Sequence, residues 1–455
     1  MSSPLMISVA GVRGIVGDSL TPEVVSRFAA AFARELPPGA IVLGRDARTH
    51  GPLISGAAAE GLLSAGRDVV DIGLATTPTT EIAVEHLRAA GGVIVTASHN
   101  PSEWNALKFL NARGEFLGSA EGAAVRARFE REDPVAAAVV RGTRRMESSA
   151  LEWHLERVLG LDVIDVARIR ARALRVVVDG CASVGGIAVP PLLARLGADV
   201  IELDCEPTGR FTRELEPLPE HLGALSGRVR EHRADFGVAL DPDADRAAFV
   251  DGNGVPLGEE YTVALGTRCV LEKHRGPVVT NLSTSLILEA VCHRGGVPLH
   301  RTRVGEAHVV AKMQAVRAVA GGEGNGGMIL PAAHYGRDGL VAVALIAQLV
   351  SAGGRSLREL ADELPRTAMI KSKLDRPDES WPRTAERLKA AFAGMALDEA
   401  DGLRFSGDRE WVHVRASGTE PVVRVIAESE DEERTRSLVA RARRALEGVR
   451  AEGTS

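Results

Sequence analysis

The sequence predicts an α/β protein: three similar domains with mixed, mainly parallel sheets, followed by a smaller α+β domain. Three observations carry that expectation. At 455 residues the chain is too long for one ordinary core, and typical domain sizes give about three or four domains. A pattern of apolar strand, polar turn bearing glycine or serine, amphipathic helix, glycine and second strand occurs three times, each copy about 30 residues long, the span of a βαβ crossover. After Leu364-Pro365 the pattern stops.

Each element follows from local chemistry. The first helix starts at Thr21-Pro22-Glu23, with Thr21 as N-cap and Pro22 at the first helical position, and Pro37-Pro38-Gly39 ends it. A strand at 41–43 opens the first copy of the repeat, which runs through Gly66 to Ile72. GGVIV at 91–95 reads as a short buried strand. Asn100-Pro101 breaks the chain after it, since the residue before proline is pushed out of the helical region. The second copy runs from LRVVVDG at 174–180 through Leu196-Gly197 to VIEL at 200–203; the third runs from VVTN at 278–281 through Gly295-Gly296 to Leu299. Polar, patternless RGTRRMESS at 141–149 and the turn DGNG at 251–254 separate the copies. The expected domains are therefore 1–148, 149–251, 252–366 and 367–455. In the last, helical patterns cover 383–394 and 432–449, strands are expected near 411–414 and 422–427, and the final AEGTS frays.

Composition narrows the function. A hydrophobic content of 45%, a charged content of 25% and 48 glycines describe a globular protein rich in turns, not a disordered or fibrous one. Aromatics at 4% and a net charge of −6 argue against a nucleic-acid surface, which needs a basic face and stacking rings. Cys181, Cys205, Cys269 and Cys292 stand singly, so neither a zinc site nor a disulfide framework is indicated, and a reducing cytoplasm fits. The start MSSPLMISVAGVRG does not read as a secretion signal. The longest apolar run, 340–350, is about half of the roughly 20 residues a spanning helix needs; a buried helix is expected there and no membrane partner.

Four loops carry chemistry. TASHNPSEWNALKF at 96–109 places Ser98, His99 and Lys108 just past a strand end, where ligands bind in parallel α/β sheets. The same residues are ordinary turn formers, so turn and reactive loop both stand. DPDADR at 241–246 sets Asp241, Asp243 and Asp245 at alternate positions between the apolar stretches FGVAL and AAFV. Converging carboxylates select magnesium, calcium or manganese. An EF-hand is excluded, because its sixth position needs glycine and is Arg246, and its twelfth needs glutamate and is Gly252. Magnesium leads, since it pairs carboxylates with phosphate oxygens; a merely solvated acidic turn would leave three aspartates repelling one another at the end of a buried strand. GEGNGG at 322–327 satisfies GxGxxG, but it opens no helix and has no acid about 20 residues on, so dinucleotide binding is not expected. Glu323 and Asn325 offer hydrogen-bonding groups to a polyhydroxyl ligand, with a plain hairpin turn as the alternative. RASGTEP at 415–421, with Arg424 beyond it, offers amides, hydroxyls and two arginines to a phosphate, or forms a connecting turn with a salt bridge.

In that order, one per expected domain, TASHNP, DPDADR, GEGNGG and RASGTEP resemble the α-D-phosphohexomutase family: the phosphoglucomutases, phosphomannomutases and phosphoglucosamine mutases. The likeness includes GVRGIVG at 11–17, GRDAR at 44–48 and EPLPEHL at 216–222, and so covers nearly the whole chain. It implies a four-domain, heart-shaped enzyme whose central cleft is lined by one loop from each domain. Such an enzyme interconverts hexose 6-phosphate and hexose 1-phosphate through a phosphoserine and a bisphosphate. The resemblance puts the phosphoserine on Ser98 and one magnesium ion per chain on Ser98, Asp241, Asp243 and Asp245. Charge support falls on Arg13 and Arg246, proton transfer on His99 or Lys108, sugar contacts on Glu323 and Asn325, and the phosphate clamp on Arg415, Ser417, Gly418, Thr419, Glu420 and Arg424. A hexose 1,6-bisphosphate is the implied activator, a sugar phosphate the small-molecule partner, and a cytoplasmic monomer or homodimer the implied state.

The implied chemistry is demanding. Cleaving a phosphate monoester can require acceleration up to ~10²¹, so charge stabilisation must dominate over an unaided serine. Bacterial members usually carry a serine and then a histidine in the sugar loop, where this chain has Asn325 and Gly327, as archaeal-type members tend to; His308 is a further histidine that could serve in its place. The start ISVAGVRGIVGDSLTPEVV looks most like phosphoglucosamine mutases and their archaeal-type relatives, which points to glucosamine phosphate, with mannose or glucose phosphate as alternatives. A sugar-phosphate phosphatase and a non-catalytic sugar-phosphate sensor are the rival classes. A serine hydrolase is not expected: no GxSxG surrounds Ser98, and adjacent Ser98 and His99 are not expected to form a nucleophile–base pair.

Overall fold

The computed structural model describes residues 5–9, 11–131, 140–376, 379–416 and 422–448. Its first sheet has seven strands, ordered from edge to edge Met6–Ser8, Gly11–Ile15, Trp104–Leu110, Gly91–Val95, Ile41–Arg45, Val69–Leu74 and Arg144–Met146. Ile41–Arg45 runs parallel to both of its neighbours. The second sheet is ordered Ala247–Asp251, Phe236–Leu240, Arg175–Asp179, Asp199–Leu203, and the third Leu299–Thr302, Val278–Asn281, Ala320–Glu323, Gly327–Ile329. A fourth, wholly antiparallel sheet is ordered Ala368–Asp375, Val422–Ser429, Glu410–Ala416, Leu403–Gly407, Ala396–Asp398.

The three βαβ copies lie where the sequence pattern puts them, each with its helix between parallel strands: Gly51–Ser64, Gly185–Arg195 and Leu286–Gly295. A second repeat was not visible in the pattern. In each of these sheets one strand of the parallel set turns back into an antiparallel partner: Gly91–Val95 into Trp104–Leu110, Phe236–Leu240 into Ala247–Asp251, and Ala320–Glu323 into Gly327–Ile329. The connecting segments are 96–103, 241–246 and 324–326, so three of the four motif loops are hairpin connections at the C-terminal end of a corresponding strand in each repeat. In the fourth sheet, Glu410–Ala416 and Val422–Ser429 pair antiparallel on either side of segment 417–421.

Local signals hold in most places. Helix Pro22–Glu35 begins where Thr21 Oγ1 accepts the Val24 amide at 3.3 Å. The apolar run at 340–350 lies in helix Gly339–Gly353, capped by Asp338 and closed by Gly354 in the left-handed conformation (φ +68°). Among the described residues no helix is long and apolar enough to cross a membrane. Two readings change. The segment 141–149, read as a patternless junction, contains the edge strand Arg144–Met146; its side chains are all exposed, so no alternation marks it, and only parallel pairing with Val69–Leu74 makes it a strand. The last domain also gains Ala368–Asp375, Ala396–Asp398 and Leu403–Gly407, short or half-exposed strands with weak patterns.

The cores divide unevenly. One continuous apolar cluster reaches from Leu155 in the second domain to Leu364 at the end of the third, with helix Gly339–Gly353 running through it. The first and fourth domains keep separate apolar clusters around Phe32 and Phe109 and around Phe392 and Phe405.

Candidate active site

Ser98 lies three residues past strand Gly91–Val95 with φ +48°, a left-handed conformation that a non-glycine residue adopts only when its surroundings impose it. The constraint is visible. Thr96 Oγ1 accepts the Ser98 amide at 3.0 Å and donates to Asp46 Oδ2 at 2.6 Å. The Arg48 guanidinium, almost fully buried and 3.3 Å from Asp46, donates to the carbonyls of Ser98 and Asn100 (2.6 Å each), Pro101 (2.7 Å) and Trp104 (3.0 Å). Four carbonyl acceptors on one fixed fork hold the loop in a single shape. From that shape Ser98 Oγ donates to Asp241 Oδ2 at 2.7 Å. His99 Nδ1 comes within 3.3 Å of the same hydroxyl, closer than expected of adjacent side chains, while the hydroxyl itself donates to Asp241. The Arg246 charge and burial push His99 down to about 2, so its imidazole is neutral.

Asp241, Asp243 and Asp245 are completely buried, and each offers a carboxylate oxygen within 4.8 Å of the others. Asp243 Oδ1 and Asp245 Oδ1 are buried without a hydrogen-bond partner. Burial, then repulsion from Asp245 and Asp243, raises Asp241 well above the usual carboxylate range. Such a set of hard, partly unsatisfied oxygens fits a divalent cation. Thr77 Oγ1 donates to Asp243 Oδ2 at 2.6 Å. Lys108 Nζ lies 2.6 Å from Asp243 and 3.7 Å from Asp245; burial opposes its charge, but the two carboxylates outweigh it and raise its pKa. Arg246 stands beside them, 3.7 Å from Asp245 and 3.3 Å from Glu216 of the EPLPEHL segment.

In the third domain the 322–327 segment forms a hairpin, one of the two readings of its sequence. Glu323 accepts from Asn281 Nδ2 (2.9 Å), from the Gly305 amide (3.0 Å) and from Arg337 Nη1 (3.2 Å). Arg337 also donates to Glu306 Oε2 and to Asp245 Oδ2, each at 2.7 Å. It explains Gly327: a Cβ there would lie 2.3 Å from Arg337 Cδ, so the space beside this position is filled by an arginine.

A cavity of about 490 Å³ is lined among others by Arg13, Ser98, His99, Lys108, Arg246, Glu306, His308, Glu323, Arg337 and Arg415; the three fully buried aspartates are not on its wall. All four domains contribute. Arg13 Nη1 reaches Asn100 Oδ1 at 3.3 Å, and Arg415 reaches Asp401 at 3.2 Å. Asn325 is not on the wall; its Oδ1 accepts the Gly327 amide at 3.3 Å. Arg424 stands directly opposite Arg415 on the neighbouring strand. Ser417, Gly418, Thr419 and Glu420 lie outside the described residues.

The sequence reasoning passed over Arg337, Glu306 and Thr77, and gave no role to Asp46 and Arg48 within GRDAR. Arg337 had a signal: Arg337-Asp338 is the one charged pair within 328–350, an otherwise mostly apolar stretch, and it is framed by Gly336 and Gly339. Glu306 had none, because its value comes from packing against a residue 31 positions away.

Four family models match the chain in succession: phosphoglucomutase/phosphomannomutase alpha/beta/alpha domain I at residues 6–136, domain II at 154–254, domain III at 258–368 and the C-terminal domain at 369–445. A phosphoglucomutase/phosphomannomutase of Thermococcus kodakarensis is 36% identical over 439 residues, covering 94% of this chain and 95% of the other. A probable phosphoglucosamine mutase of Methanopyrus kandleri is 37% identical, covering 97% and 98%. The crystal structure of a phosphoglucomutase/phosphomannomutase family protein from Burkholderia thailandensis superposes with a TM-score of 0.85 at 26% identity, covering 98% of each chain.

Proposed function

From the premise that this chain belongs to the phosphoglucomutase/phosphomannomutase family and is a phosphohexomutase, we propose that it interconverts glucosamine 6-phosphate and glucosamine 1-phosphate through a phosphoserine at Ser98. The observation that carries the site assignment is Ser98 Oγ at 2.7 Å from Asp241, on a loop locked by Arg48, facing a cavity to which all four domains contribute.

The steps balance. Phospho-Ser98 gives its phosphoryl group to the free hydroxyl of a sugar monophosphate: the serine O–P bond breaks, a sugar O–P bond forms, and the hydroxyl proton leaves. The bisphosphate turns over in the cavity, and Ser98 takes back the other phosphoryl group as the proton returns. Lys108, Arg246 and Arg13 offset negative charge on the transferring group, where electrostatic stabilisation matters most. His99, neutral and 3.3 Å from Ser98 Oγ, is the candidate that can take the proton, and Lys108, whose charge the neighbouring carboxylates favour, is a candidate that can donate one. Asp241, Asp243, Asp245 and Ser98 are the residues that would hold Mg²⁺, which supplies Lewis-acid charge neutralisation when bound. Arg415, with Arg424 and the 417–420 segment, takes the phosphate that is not reacting, and Glu323 takes sugar hydroxyls. A glucosamine substrate is favoured by the segment 7–25 and by the similarity to the Methanopyrus protein; the similarly identical Thermococcus protein keeps mannose and glucose phosphates as the second reading.

The test has two parts. Ser98→Ala should lose both phosphate incorporation and sugar-phosphate isomerisation by at least ~10³-fold, as expected when the group that carries the phosphate is gone; isomerisation that survives would remove Ser98 from the mechanism. Ranking kcat/KM for glucosamine, mannose and glucose 6-phosphates, with bisphosphate and magnesium present, should place glucosamine first, and free phosphate outpacing isomerised sugar would point to a phosphatase.

A further inference from the structure

Behind the cavity wall a chain of buried polar groups joins the first three domains. Helix Thr77–His86 starts it. Besides Thr77 on Asp243, Thr79 Oγ1 meets His154 Nδ1 at 2.9 Å, and Glu81 pairs with His334 Nδ1 at 3.1 Å. His154 Nε2 and His334 Nε2 both reach Asp338 Oδ2, at 2.8 and 3.1 Å, while Asp338 Oδ1 accepts the amides of Leu340 and Val341. None of Thr79, Glu81, His154, His334 and Asp338 is more than 3% exposed. Burial opposes a charged imidazole, but the bond to Asp338 and the charge of Glu81 beside it outweigh that and push His334 up to about 10, while burial raises Glu81 in turn to about 8. The approach is tight: a Cβ on Gly336 would lie 1.9 Å from Glu81 Oε2.

Buried ionic groups are a poor way to gain stability, since apolar residues of similar volume do as well or better; they do fix orientation. What this chain orients is the turn between His334 and Asp338, and the only side chain of that turn that reaches the cavity wall is Arg337. Its donors are divided among three elements: Nε to Glu306, Nη1 to Glu323 of the sugar loop, and Nη2 to Asp245 of the acidic loop.

We propose that His334 and Asp338, steadied by Glu81 and His154, are positioning residues that hold Arg337 across Asp245, Glu306 and Glu323 at once, and so tie the charge of the acidic loop to the placement of the sugar loop. This rests on reading Asp241, Asp243 and Asp245 as a divalent-cation site. A guanidinium 2.7 Å from Asp245 reduces the negative charge that the triad offers to a cation. Loosening the turn moves that charge away. The triad then attracts a cation more strongly, while the reacting groups lose their alignment.

That opposition separates positioning from bulk stability. In the full-length protein, Mn²⁺ binding is measured by electron paramagnetic resonance without sugar phosphate, alongside steady-state kinetics and melting temperature. His334→Gln should bind Mn²⁺ ~5-fold more tightly and lose at least ~10-fold in kcat with KM changed less than ~3-fold. Glu81→Gln should move both readings in the same directions by less, and it serves if His334→Gln does not fold. His334→Lys, which returns a cation between the carboxylates, should recover part of kcat. Mn²⁺ affinity that is unchanged or weaker in the folded variants, with kcat falling only as far as the melting temperature does, would overturn the proposal. A wild-type protein that binds no Mn²⁺ would overturn the cation-site reading first.

Discussion

The two junctions of the third domain are built from different materials. Toward the second domain it shares one apolar cluster: Leu340, Leu345 and Leu349 of helix Gly339–Gly353 belong to the same core as Leu192 and Val176. Toward the fourth domain no apolar cluster is shared among the described residues, and polar contacts join the two. Lys371 reaches Glu259 at 2.8 Å and Glu260 at 3.3 Å; Arg404 Nε donates to the Leu282 carbonyl; His413 bridges Ser283 Oγ and the Asp401 carbonyl; Ser285 pairs with Glu428; and the Val304 amide donates to Asp401. Apolar burial is non-directional and roughly proportional to area, so the first junction acts as a single body. Hydrogen bonds and ion pairs exchange readily with water, so each adds little net stability but fixes one geometry. The acidic loop and the sugar loop, which must keep a fixed relation through Arg337, are joined by the first kind. Arg415 and Arg424 are carried on the second.

The largest effect should come from opening the shared core. Leu345→Ala removes a fully buried side chain and should cost about 2–5 kcal/mol, lowering the melting temperature while the second and third domains still unfold in one transition. Separate transitions for the two domains would show that the core is not shared in energetic terms. Cutting the polar junction should act differently. Lys371→Met leaves Glu259 and Glu260 without their cation, and burial has already pushed Glu260 up to about 8. For a partly exposed pair we expect about 1 kcal/mol or ~5-fold, read as a higher KM for sugar phosphate rather than as a large drop in melting temperature. A melting-temperature loss as large as that of Leu345→Ala would erase the contrast between the junctions.

The smallest effect is a pH dependence. Burial holds His413 below its usual value of 6.5, so the folded junction carries the neutral ring: Nε2–H donates to Asp401, and Nδ1 accepts from Ser283. Between the folded value and 6.5 the unfolded ring binds more protons than the folded one. Stability of this contact is therefore complete above that window and is lost as pH falls through it. KM for sugar phosphate should rise on acidification from pH 7 to about 5.5, and His413→Gln should flatten that rise. An identical slope in the variant would place the titration elsewhere.

The chain by itself determined its α/β class, the three crossovers and the four motif loops, because these rest on information within a few residues: apolar period, glycine and proline at turns, and three aspartates at alternate positions. Even Arg337-Asp338 was marked as a charged interruption in an apolar run. Tertiary structure alone decided the rest. That Arg48 clamps the Ser98 loop, that Thr77 reaches Asp243, that Arg337 bonds Glu306, and that one junction is apolar while the other is polar all depend on residues distant in the chain, 31 positions apart for Arg337 and Glu306 and 166 for Thr77 and Asp243. Such partners meet only after whole domains pack, and no local period records which face will meet which.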